Sequence, residues 1–231
     1  MRQYAFLILL LFPILAFTQS KEEIEKAGFF KNNKNLFRAY VVAGANFTQI
    51  DGDNAGVYSA IGANAGVGVF VTYTKKFTNS LEITYSMKGA KLNLINPKGT
   101  SAPFRHQMDY IDIPLLFNYH DFKVAIFQAG FSYSQLIRSK SEFRNAAIEP
   151  DLYKWNFDFV AGVTFLIKEK WGLNFKYNYS ILNNLKVNGS PRGTVFGKQA
   201  PGKSLTDTGI PGTGKYWYHN VLTFRLMYVI N

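Results

Sequence analysis

Apolar and polar residues alternate with a period of two along much of the chain, most strictly over residues 155–181. Odd positions there carry Trp155, Phe157, Phe159, Ala161, Val163, Phe165, Ile167, Trp171, Leu173, Phe175, Tyr177, Tyr179 and Ile181. Even positions are Asn, Asp, Gly, Thr, Lys or Ser, apart from the apolar Val160 and Leu166 and the interruption at 168–170. Side chains in a strand point alternately to opposite faces of the sheet, so this pattern predicts two strands. Lys168, Glu169 and Lys170 supply the turn of a hairpin.

The same alternation predicts strands at 36–47, 59–74, 81–95, 108–119, 123–137, 155–167, 171–181 and 216–230. Gly62, Gly66 and Gly68 fall on one face of the second strand, which predicts a crowded interior. Pro114 lies inside the fourth and cannot donate to a ladder, so a bulge or a missing hydrogen bond is expected there. The connections are long at 49–56, 96–107, 138–154 and 183–215, and short at 75–80, 120–122 and 168–170. Long and short alternate strictly. An outer-membrane barrel has this arrangement, with short periplasmic turns and longer external loops. A soluble sandwich shares the residue alternation but gives no reason for the alternating loops. The expected fold is therefore all-β, an eight-stranded antiparallel up-and-down transmembrane β-barrel over 36–231. Tyr73, Tyr119, Trp155, Trp171 and Trp217 lie near strand ends, where aromatic girdles are expected.

Composition agrees with a lipid-facing wall. Aromatic residues make up 16% of the 231 residues and charged residues only 18%, the latter below the usual share of about a quarter. There is no cysteine, which excludes disulfides and cysteine-bound zinc. Residues 1–18 read as a signal peptide: Arg2 precedes an apolar run from Tyr4 to Phe17, and Ala16 and Thr18 suit cleavage before Gln19. Residues 19–35 are polar and read as a periplasmic extension. No later segment is apolar for long enough to form a spanning helix.

The inward face of the expected barrel carries Arg38, Glu82, Lys88, Asp112, Asp158, Lys176 and Arg225. Isolated charge is costly in a narrow lumen, so these seven are expected to pair, in one linked network. Eight strands leave an interior just filled by side chains, which argues against an open pore. The net charge of +11 falls partly in the loops. Lys98 and Arg105 lie in the second long connection; Lys186, Arg192, Lys198 and Lys203 lie in the last. The last four form a candidate extracellular basic patch for lipopolysaccharide phosphates or another anion. Nucleic acid is not expected as a partner.

Catalytic signals are weak. His106, His120 and His219 have no spaced partners of a triad or metal motif, and neither metal nor cofactor is expected. Some small outer-membrane barrels modify lipid A with a rim His and a Ser, which leaves His106 and His219 as the candidates for that chemistry. The glycine run 62–68 lies within a strand and lacks the Gly-Lys-Ser/Thr ending of a phosphate loop.

Three segments carry a family resemblance. Residues 45–53 (ANFTQIDGD), 81–89 (LEITYSMKG) and 110–119 (YIDIPLLFNY) resemble motifs of PorT-like outer-membrane β-barrel proteins of Bacteroidota. The likeness extends over about 36–231. It implies an eight-stranded barrel in the outer membrane and, through PorT, a part in type IX secretion, which exports proteins with C-terminal sorting domains. The long last loop departs from the family. So does the end of the chain, where the aromatic assembly signal rests on Tyr228 or Phe224. The expectation is a non-enzymatic barrel that assists secretion or envelope assembly. Its partners would be outer-membrane lipid, lipopolysaccharide and other envelope proteins. The alternatives are a structural barrel that binds a surface ligand and, further off, a lipid A-modifying enzyme.

Overall fold

The computed structural model describes residues 36–51, 58–74, 76–95, 101–121, 125–143, 146–148, 151–167, 170–186, 192, 194 and 217–230. The expected signal peptide and N-terminal extension, together with Lys198 and Lys203, lie outside the described residues.

The strands are β1 (Phe37–Asp51), β2 (Ala60–Thr72), β3 (Phe77–Ile95), β4 (Ser101–Asp121), β5 (Ala125–Phe143), β6 (Ala146–Ile148), β7 (Trp155–Leu166), β8 (Trp171–Ser180) and β9 (Tyr218–Val229). Every pairing is antiparallel. Eight long strands run round the sheet in the order β4-β3-β2-β1-β9-β8-β7-β5, and pairing of β4 with β5 closes it. The seam between the first and last strands is the β1–β9 ladder, from Tyr40↔Val229 to Asp51↔Tyr218. Closure leaves no open sheet edge facing lipid, which a bilayer demands. The ninth strand, β6, is a three-residue piece folded back on the end of β5.

The period-two pattern explains which face is which. Phe37, Val67, Leu81, Ile83, Phe117, Phe131, Phe159 and Phe224 point outward and are exposed, while the residues between them are mostly buried. In water so large an apolar belt would be untenable; in lipid it is the solvent-matched surface. Aromatic pairs mark both ends of the belt. Phe77 packs on Tyr119 at 5.3 Å and Trp171 on Tyr228 at 4.7 Å near the tight turns. Trp155 and Tyr133 pack on Phe157 near the opposite end. Trp217 does not join a girdle: it is fully buried in the mouth of the barrel. A tryptophan at a strand end goes where its strand parity points, and position 217 shares the inward parity of His219 and Val221.

Two irregularities lie in β4. Opposite Pro114 the β3–β4 ladder is interrupted, passing from Leu81↔Leu115 to Thr84↔Asp112. This is the local loss of pairing expected of a proline in a strand. A bulge also occurs, but it sits where Asp109 and Tyr110 face Arg138 and Leu136, leaving Ile137 as the extra residue of β5. The connections 96–107 and 138–154 are less loop-like than expected. β4 begins at Ser101 and β5 continues to Phe143. β3, β4 and β5, of 19, 21 and 19 residues, thus outrun β7, β8 and β9, of 12, 10 and 12. They form a three-stranded blade on the long-loop side.

Candidate functional site

The lumen is filled in layers. At the tight-turn end Tyr40, Val42, Phe70, Met227 and Val229 form an apolar plug. At the other end Ile50, Ala90, Met108, Tyr110 and Trp217 form a second one, joined by Leu152 and Leu185 from the connections. Leu152 and Leu185 meet through a β-bridge that folds the connecting segments over the mouth. Charged and polar side chains occupy the space between the plugs.

All seven expected lumen charges are buried, from Glu82, Lys88 and Asp158 at 1% exposure to Arg38 at 6%. Six of them form two triads rather than one linked network. In the first, Glu82 of β3 accepts from Lys176 of β8 at 2.7 Å and from Arg225 of β9 at 2.9 and 3.2 Å. In barrel order β8 lies four strands from β3 in either direction, so the Glu82–Lys176 pair crosses the full bore. The Tyr40 hydroxyl donates to the same carboxylate at 2.8 Å. Arg225 also donates to Asn174 at 2.7 and 2.9 Å and to Asn64 at 3.3 Å.

In the second triad, Lys88 of β3 donates to Asp112 of β4 at 3.1 Å and to Asp158 of β7 at 3.0 Å. Ser134 and Ser180 donate to Asp158 at 2.9 and 3.0 Å. The Lys88 ammonium also lies 4.8 Å from the centroid of the Tyr110 ring. One linked network fails for a geometric reason. Glu82 and Lys88 are six residues apart on β3, about 20 Å along the strand, so each gathers partners at its own level. The first triad holds one acid and two bases and the second one base and two acids, so their charges cancel. Arg38 belongs to neither. The uncharged partners Tyr40, Asn64, Asn174, Ser134 and Ser180 were not singled out from sequence. Their only signal there is inward parity.

Of the expected basic patch, Lys186 and Arg192 lie among the described residues, and both have partners within the fold. Lys186 pairs with Asp151 at 2.8 Å. Arg192 is half-buried; it donates to the carbonyls of Trp155 at 2.6 Å and Asn183 at 2.9 Å and lies over the rings of Tyr153 and Trp155 at 4.2 and 4.4 Å. It ties the last connection to β7 because a guanidinium satisfies carbonyls and aromatic faces together.

Two of the three histidines lie at the mouth. His106 Nδ1 and Ser141 Oγ are hydrogen-bonded across the β4–β5 hairpin, at 1% and 4% exposure. His106 also packs on Trp217 at 5.0 Å between ring centroids. His219 Nε2 meets the Tyr110 hydroxyl at 3.1 Å. His120 sits at the opposite end, with Thr78 at 2.9 Å.

The family model for the outer membrane protein beta-barrel domain matches residues 17–186. The chain belongs to that family. It is a small barrel of the eight-strand type, located in the bacterial outer membrane, and its tight turns therefore face the periplasm. A search of the curated proteins found no match. Among solved structures, Neisserial surface protein A is similar at a TM-score of 0.43 and 11% identity, covering 84% of this chain and 97% of that one. CarO2 of Acinetobacter baumannii is similar at 0.43 and 13%, covering 83% and 99%. OprG of Pseudomonas aeruginosa is similar at 0.39 and 10%, covering 84% and 94%.

Proposed function

We propose that this outer-membrane barrel is a non-enzymatic scaffold that assists protein secretion or envelope assembly through its external blade, its connections or its periplasmic rim. The carrying observation is the sealed lumen. Two apolar plugs close it, and six of its seven charges are spent on each other. A bore filled in this way leaves the outer surfaces as the places where chemistry can be recognised. The PorT-like motifs at 45–53, 81–89 and 110–119 favour type IX secretion as the process served. Deleting the gene and comparing secreted proteomes tests the role. Loss of proteins with C-terminal sorting domains from the medium is the expected result, and unchanged export rejects it. A lipid A-modifying role draws on the His106–Ser141 contact, but both side chains are buried, at 1% and 4% exposure.

A further inference from the structure

We infer that the outward face of the β3–β5 blade binds the phosphate of an outer-leaflet glycolipid through Lys91, Arg105 and Lys140. Lys91 and Arg105 are cross-strand partners on β3 and β4, and both are exposed. Lys140 of β5 lies opposite Gln107, diagonal to Arg105 on the same face, and is exposed as well. Among the described residues, none of the three side chains makes an ion pair or a hydrogen bond. This separates them from Arg138, which is held by Asp109 at 2.6 Å, and from Lys186 and Arg192, which are engaged within the fold. Like charges placed directly opposite each other on a sheet repel. Glu142 faces Arg105 on its other side without forming an ion pair, so it offsets the Lys91–Arg105 repulsion only in part. An anion bridging the two removes it.

The height of the cluster points to the anion's source. Strand rise and tilt place Lys91 about 35 Å above Phe77 at the periplasmic girdle, against an apolar belt about 25 Å tall. The cations therefore stand about 10 Å above the belt, at the level of polar headgroups. Beside them the wall has a crevice. The β2–β3 ladder stops at Asn64↔Ser86, and above it Asn46 and Thr48 of β1 take over the bonding to Met87 and Gly89. A cavity of about 40 Å³ lies there; Ile61, Met87, Lys91 and Arg105 line it together with the inward-facing Thr48, Lys88 and His106. The site depends on the membrane location alone and stands or falls separately from the secretion role.

The test uses the purified full-length barrel in detergent, titrated with phosphorylated lipid A or its dephosphorylated counterpart and read by native mass spectrometry. The parent protein should retain the phosphorylated form selectively. K91Q/R105Q/K140Q should bind it on the order of tenfold more weakly or worse. The charge-preserving K91R/R105K/K140R and the charge-matched control K76Q/K154Q/K170Q should bind as the parent does. Heat-modifiable gel mobility confirms that each variant is folded. The proposal is overturned by equal binding of the two lipids, by an unaffected blade variant, or by an equal loss in the control. It is also overturned if inorganic phosphate displaces the lipid at similar concentration, which would assign the cluster to a soluble anion.

Discussion

Glu82 occupies a demanding position. It sits at 1% exposure and is the only acid facing Lys176 and Arg225 in its triad. Removing one member of a buried ion cluster strands the others in a poor dielectric, at a cost of about 3–5 kcal/mol. Glu82→Gln should therefore lower the unfolding free energy of the barrel, read from urea titration in lipid vesicles, by that margin. Adding Lys176→Met should recover part of the loss, since Arg225 keeps Asn64 and Asn174. A single variant as stable as the parent would show that the triad has no energetic role. Ser141 presents the opposite case. Its contact with His106 has the composition of a catalytic pair but lies beneath Trp217. Ser141→Ala should leave lipid A mass spectra unchanged in cells that overproduce the barrel, and a lost modification would revive the enzymatic reading.

At the scale of the element, the strands depend on how closely their backbones approach. Gly44 of β1 sits against the carbonyl of Phe224 in β9, and an added Cβ would collide with backbone that cannot move aside. That contact lies on the seam where the first and last strands meet. Gly44→Val should reduce the heat-modifiable, folded fraction sharply. A Cβ on Gly172 of β8 would meet Thr164 Cγ2 at 2.9 Å, Met227 Cε at 3.1 Å and the Phe165 carbonyl oxygen at 3.2 Å. Met227 is flexible and the remaining contacts need shifts of only a few tenths of an ångström, so Gly172→Ala should cost about 1–3 kcal/mol and leave the folded fraction well above that of Gly44→Val. Both glycines occupy even, inward positions, and parity alone does not distinguish them.

At the scale of the whole molecule, a lipid-facing wall surrounds a filled bore. Phe224 is 43% exposed in the belt, between Phe47 at 5.4 Å and Phe175 at 5.0 Å. Phe224→Arg places a charge in hydrocarbon and should cost about 2–4 kcal/mol of folding free energy in bilayers. The bore makes a separate prediction. With plugs at both ends, the parent barrel should give no conductance steps in planar bilayers, and Glu82→Gln should not create them, because the plugs contain neither triad. Steady unitary currents from the parent would contradict the sealed lumen.

Alternation, loop lengths and parity were sufficient to read the wall from the chain. They placed eight strands, the lipid face, the proline interruption and the inward side of Arg38, Glu82, Lys88, Asp112, Asp158, Lys176 and Arg225. Parity is a local property, because backbone geometry turns each side chain over relative to the last. Partnership is not local. That Glu82 reaches across to Lys176 while Lys88 gathers Asp112 and Asp158 depends on the stagger of eight strands around a closed ring. No spacing within one strand encodes that stagger. The same holds for Arg192, a loop cation in sequence that the fold turns onto Trp155, and for Lys91, Arg105 and Lys140, which belong to three strands and become neighbours only when the ladders register. The chain by itself determined which side of the wall each residue takes; closure of the barrel decided which residues meet, because contact across a bore is set by shear and height rather than by sequence distance.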